Sequence, residues 1–208
     1  MEGNDTYQTA TAATVNGTVT GHLGYFSNGT TDAQDYWKFV LPGNGKVVVK
    51  ITNDSLDQSG AIYDVDFSLF DTDGATYITG DTRTGSYSET TSYLKGGIYF
   101  VRAYRGIGNA GSYIMAIDYT VPPRTDDGSG NDTPATAKLL TYGVAATGHL
   151  GYYGSGTTNS VDYWRLVAPA SDSIYIHILS DAGVDVDFSV YASDGTAYIT
   201  GDTRTGTY

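Results

Sequence analysis

Asp32-Ala33-Gln34-Asp35-Tyr36-Trp37-Lys38-Phe39-Val40-Leu41 decides the fold. It begins as a loop with two carboxylates three residues apart and then alternates. Trp37, Phe39 and Leu41 fall on one side, and Tyr36, Lys38 and Val40 on the other. Successive side chains of a strand point to opposite faces, so this is a half-buried β-strand with an acidic pair at its mouth. The arrangement returns at Asn159-Ser160-Val161-Asp162-Tyr163-Trp164-Arg165-Leu166-Val167.

That return is part of a duplication of a whole domain. Gly3-Asn4-Asp5-Thr6 recurs as Gly130-Asn131-Asp132-Thr133, and Gly21-His22-Leu23-Gly24-Tyr25 as Gly148-His149-Leu150-Gly151-Tyr152, both at an offset of 127. After a short deletion the offset is 121, where Asp64-Val65-Asp66-Phe67-Ser68 matches Asp185-Val186-Asp187-Phe188-Ser189. Residues 77–85, YITGDTRTG, are repeated unchanged at 198–206. A solenoid would repeat every 20–50 residues or so.

Within the first copy the pattern predicts strands at Gly17–Leu23, Tyr36–Leu41, Lys46–Thr52, Val65–Phe70, Thr76–Thr79, Thr90–Leu94, Ile98–Tyr104 and Tyr113–Thr120. Val47, Val49 and Ile51 are expected inward, and in the second copy Ile174, Ile176 and Ile178. Asp73-Gly74 and Asp194-Gly195 lie between apolar runs and read as hairpin turns. No window keeps a 3.6-residue period. Short strands with regular turn signals imply an all-β protein of tandem antiparallel β-sandwich domains. The Pro- and Gly-bearing segment 122–130 reads as a linker. The expected domains are therefore 1–121 and 131–208, the second without counterparts of residues 88–120. Either a longer array continues or another chain supplies the missing strands.

Composition narrows the function. Net charge is −12 with 11 Lys and Arg among 208 residues, which argues against a nucleic-acid or anionic-membrane partner. No apolar stretch approaches the length of a membrane span, so no membrane insertion is expected. There is no cysteine, and disulfides do not hold the fold. Gly, Thr and Tyr are plentiful, as in strand-rich extracellular proteins. Met1 is followed directly by Glu2-Gly3-Asn4-Asp5-Thr6, so secretion would require a leader outside this sequence.

Glu2-Gly3-Asn4-Asp5-Thr6, the Gly17-Thr18-Val19-Thr20-Gly21 strand, Asp35-Tyr36-Trp37-x-Phe39, Asp64-x-Asp66-Phe67-x-Leu69 and Gly97-Ile98-Tyr99-Phe100-Val101-Arg102 together resemble the bacterial pre-peptidase C-terminal domain. That family includes the collagen-binding domains of clostridial collagenases. The resemblance implies a jelly-roll-like sandwich, secreted or displayed on a bacterial surface, appended to exported proteins and not itself an enzyme.

A calcium ion takes six to eight oxygen ligands or so, mixing carboxylates, amides and carbonyls. Carried over by motif, the resemblance implies Ca²⁺ at Glu2, Asn4, Asp5, Asp32 and Asp35. In the second copy Asn131, Asp132 and Asp162 remain, Asn159 stands for Asp32 and Ser129 for Glu2, while Asp127 adds an acid nearby. Fewer charges there predict weaker binding. The plain alternative is that Asn4 and Asp5 cap a turn and Asp35 is solvated. Asp64 and Asp66 share one face of a strand, and an outward polar row is the expectation, with a second cation as its rival.

Phe100, Arg102 and Tyr104 form an outward row and are expected to contact a polymer, since flat aromatics supply area at low entropic cost. Gly106-Ile107-Gly108-Asn109-Ala110-Gly111 fits the dinucleotide fingerprint, but it lies between two strands and reads as a hairpin loop. The histidines lack zincin spacing, and there is no nucleophile elbow. The sequence thus points to a non-catalytic, calcium-stabilised module. Its partner would be an extracellular polymer, protein fibre or polysaccharide. The rival reading is a structural repeat of a fibre, adhesin or filament that pairs with neighbouring copies of itself by strand exchange.

Overall fold

The computed structural model describes residues 3–128, 130–168, 171 and 173–203. The chain forms two compact units. One is Met1–Asp127 with Thr147–Ser160, the other Gly128–Ala146 with Val161–Tyr208. Glu2 lies outside the described residues, as does Ser129.

In the first unit the strands are β1 (Thr11–Ala12), β2 (Gly17–Leu23), β3 (Phe26–Ser27), β4 (Thr30–Thr31), β5 (Gln34–Leu41), β6 (Gly45–Asn53), β7 (Asp64–Phe70), β8 (Tyr77–Asp81), β9 (Tyr87–Leu94), β10 (Gly97–Ile107) and β11 (Gly111–Thr120). After β12 (Lys138–Leu140) of the second unit, β13 (Tyr153–Gly154) and β14 (Thr157–Thr158) return to the first. One sheet runs β1-β5-β10-β7-β8, the other β14-β13-β9-β6-β11-β2. The ladders are antiparallel except for short parallel additions, among them Thr11 beside Trp37 and Tyr153 beside Leu94.

The two sheets close on one core. Trp37, Phe39, Leu41, Val65, Phe67, Leu69, Tyr99, Val101 and Ala103 come from the first sheet. Leu23, Val47, Val49, Ile51, Leu94, Tyr113, Met115 and Ile117 meet them from the second. These are the alternate positions of each strand, so the period-2 pattern is also the packing pattern. The Val, Leu, Ile, Phe and Met side chains among them contribute about 1.5–3 kcal/mol each when fully buried. This is an antiparallel β-sandwich.

The predicted turns form. Asp73-Gly74 joins β7 to β8, with Gly74 at φ 66° and the Asp73 carboxylate accepting from the Ala75 and Thr76 amides. Gly106–Gly111 is the β10–β11 hairpin, with Gly108 at φ 89°.

The second unit differs from expectation. Its described strands are β12, β15 (Trp164–Leu166), β16 (Phe188–Tyr191) and β17 (Tyr198–Asp202). β12 pairs with β15 in parallel, and β16 with β17 as a hairpin around Asp194-Gly195. The strand expected over 174–178 is not formed, and Ile174 and Ile176 are exposed rather than buried. Its counterpart β6 is laddered on both sides, by β9 and β11. Among the described residues no strand pairs with 174–178, so its backbone groups join no ladder there. Trp164, the counterpart of the core residue Trp37, is only half-buried.

Candidate functional site

The acidic mouth is built from three pieces of chain. The N-terminal segment lies along the start of β5, where the Tyr36 amide donates to the Asn4 carbonyl at 2.7 Å and Gln34 Nε2 to the Asp5 carbonyl at 2.8 Å. A 3₁₀ turn at Tyr7–Thr9 follows, with the Thr9 hydroxyl placed against the Thr6 backbone, near both its amide and its carbonyl. Asp32 is placed by the β3–β4 hairpin. Its amide donates to the Tyr25 carbonyl and its own carbonyl accepts from Gly24, at 2.9 and 2.6 Å. Gly24 must be glycine: φ is 89°, and a Cβ would lie 1.7 Å from the Asn109 carbonyl oxygen.

Asp35 has the parity of Trp37, Phe39 and Leu41, so it points to the core side of β5 and is 0% exposed. Tyr113, on the opposite sheet, donates its hydroxyl hydrogen to Asp35 Oδ2 at 2.6 Å. The same hydroxyl accepts from Trp37 Nε1 at 2.6 Å. An indole N–H can only donate, so the phenol's single proton goes to the carboxylate. Nothing in the Asp32–Leu41 stretch signals this partner, which comes from 78 residues away.

Asn4 is the informative residue. It is 1% exposed, and neither its amide oxygen nor its amide nitrogen has a hydrogen-bond partner in the described structure. Asp5 Oδ1 is likewise buried without a donor. A buried amide left unsatisfied costs about 1–3 kcal/mol, so turn-capping does not account for it. Asp32 is buried beside the same strand entrance at 5% exposure. The donors gathered here are all oxygens, which suits a hard cation. Among the described residues no three carboxylate or imidazole groups converge on a point. The Asn4 amide and backbone carbonyls would therefore have to share the coordination.

The second set is distributed differently. Asp127 and Asn159 belong to the first unit, and Asn131, Asp132 and Asp162 to the second. The local backbone contacts are nonetheless reproduced. Tyr163 donates to the Asn131 carbonyl at 2.7 Å, and Gly151 to the Asn159 carbonyl at 2.6 Å. Asn131 is buried, and among the described residues neither of its amide atoms has a hydrogen-bond partner, as with Asn4. Asn159 uses its amide nitrogen on the His149 carbonyl at 2.8 Å, and Asp132 is exposed.

The aromatic row is not an open platform. Phe100 is 7% exposed because Tyr7 packs edge-on against it, ring centroids 5.8 Å apart. Arg102 lies over the rings of Phe70 and Tyr104 at 5.5 and 4.7 Å, so its charge is already engaged in cation–π contacts. Tyr104 stays half-buried. The 3₁₀ turn that covers this face gave no apolar periodicity to read.

Asp64 and Asp66 keep the outward parity expected of them, opposite Val65, Phe67 and Leu69, but both are buried. Burial first, then the neighbouring charges of Asp64 and Asp81, push the Asp66 carboxyl up to about 6. Asp81 goes the other way: the Arg83 guanidinium, against both of its oxygens, holds it down to about 2.

No protein-family model and no curated protein matches the chain. Among solved structures, the pre-peptidase C-terminal domain of collagenase from Bacillus anthracis resembles it with a TM-score of 0.42 and 19% identity, over 52% of this chain and 93% of that domain.

Proposed function

We propose that this chain is a non-catalytic β-sandwich module whose first copy is stabilised by Ca²⁺ at Asn4, Asp5, Asp32 and Asp35, and that it attaches a parent protein to an extracellular polymer. The observation that carries the metal reading is the buried Asn4 amide with no hydrogen-bond partner, beside two buried carboxylates. A cation there would take the amide oxygen as ligand and offset the charge of Asp32 and Asp35. Glu2 enters the ligand set on the sequence resemblance alone. Attachment, a secreted or cell-surface location and the absence of catalysis rest on that same resemblance and on the acidic composition.

Binding only to the folded state stabilises it by mass action, so the cation should be visible in unfolding. Thermal unfolding in EDTA and in millimolar Ca²⁺ tests this, for wild type, Asp5→Asn and Asp35→Ala. The midpoint rises with Ca²⁺ in wild type and much less in either variant; equal midpoints in EDTA and Ca²⁺ for wild type refute the metal reading. Retention of monomeric protein on collagen or polysaccharide resin supports attachment. Spontaneous multimers would instead favour the structural-repeat reading, which the exposed Ile174, Ile176 and Leu179 of the second copy fit.

A further inference from the structure

β7 brings a second carboxylate pair together against a glycine. β10 carries a bulge between Arg105 and Ile107, and Gly106 sits in it opposite the start of β7. A Cβ on Gly106 would lie 2.7 Å from Asp64 Oδ2 and 2.8 Å from Asp66 Oδ2. Two carboxylate oxygens therefore converge on one small space that any other residue would fill.

Their hydrogen bonding is unequal. Asp64 Oδ1 accepts from the Gly85 amide at 3.0 Å. Asp66 is 9% exposed, and its Oδ1 is buried with no partner in the described structure. Arg102 shares this face of the sheet, since it and Tyr104 are alternate residues of β10 and Tyr104 is paired with Asp66. Its guanidinium, however, is stacked on Phe70 and Tyr104. Arg83 is committed to Asp81. Two buried carboxylates side by side, one without a donor, repel unless something positive joins them.

We infer that Asp64 and Asp66 jointly hold a hard divalent cation in the space left open by Gly106. Two carboxylates completed by water and carbonyl oxygen are a common way of binding such an ion. The site is separate from the acidic mouth. Tyr104 stands in register between Gln34 and Asp66, and Asp35 points to the core side, whereas Asp66 is on the opposite face of the sheet. The second copy keeps the carboxylates as Asp185 and Asp187. Both are exposed there.

Calorimetric titration of the whole chain with Ca²⁺ tests the inference. Asp66→Asn removes a ligand without changing shape, and Gly106→Ala keeps every carboxylate but fills the space. Each is expected to bind one Ca²⁺ fewer than wild type, while Asp187→Asn binds as wild type. In EDTA, Asp66→Asn should unfold at a higher temperature than wild type, because the repulsion is gone. Asp35→Asn should lose a different equivalent. If it loses none while Asp66→Asn loses one, the acidic-mouth reading fails and this one stands. Unchanged stoichiometry and affinity in both Asp66→Asn and Gly106→Ala overturn it.

Discussion

Tyr113 Oη stands 2.6 Å from Asp35 Oδ2, reaching from one sheet across the interior to a carboxylate on the other. The contact explains how an acid can share the core face with Trp37, Phe39 and Leu41. The phenol gives the carboxylate a donor, and the Trp37 indole fixes which way that donor points. Tyr113→Phe keeps the ring and removes both bonds. It is expected to cost about 1–3 kcal/mol, the penalty for stranding a buried polar group. Urea unfolding measures it, and a bound cation at the mouth should make the loss smaller in Ca²⁺ than in EDTA.

Gly21 gives that phenol its room. It pairs with Tyr113 in the β2–β11 ladder, and a Cβ on it would lie 2.4 Å from the ring's Cζ and hydroxyl. The ring is tethered to Trp37 and Asp35 at its hydroxyl end, so it cannot swing aside cheaply. Gly21→Ala is therefore an overpacking change, expected to cost about 1–3 kcal/mol by chemical unfolding. If Gly21→Ala proves neutral, Tyr113 is not held as rigidly as its two bonds imply.

The sandwich was legible because its strands alternate. The parity that places Val47, Val49 and Ile51 inside is a local property of the chain, and the structure keeps it. The same parity assigns Asp35 to the core side, but the partner that makes this tolerable lies on β11 and leaves no local mark. Asp64 and Asp66 were harder still. Alternation puts them on the outer face, and the close approach of Gly106 in the β10 bulge leaves no mark in the β7 sequence itself. Phe100 shows the same limit, since its cover comes from Tyr7 in an irregular segment.

Asp81 and Arg83 should set part of the acid limb of stability. The Arg83 guanidinium, with the Glu89 and Arg83 amides, lowers the Asp81 carboxyl from 3.8 to about 2. A folded-state value below the unfolded one means that the folded chain holds the proton less tightly. The contribution is then fully present above about pH 4 and disappears as pH falls through about 2. Arg83→Gln is expected to be less stable than wild type near neutrality, with the difference closing across that window. Urea midpoints measured from pH 2 to 7 decide it; a gap that persists at the acid end means that Arg83 acts by packing and not by charge.

Isoleucines of corresponding segments in the two copies should respond differently to the same truncation. Ile51 lies in the middle of β6, fully buried between two laddered neighbours, and touches both sheets' side chains through the shared core. Ile176 is the repeat partner of Val49, yet it is 38% exposed and in no strand. Ile51→Ala should cost about 2–5 kcal/mol, because a cavity is added to the lost transfer energy. Ile176→Ala removes the same atoms from a surface and should stay within about 0.5 kcal/mol. Chemical unfolding of both variants measures the contrast. A cost at Ile176 approaching that at Ile51 would show that segment 174–178 packs in solution as a strand, against the fold described for the second unit.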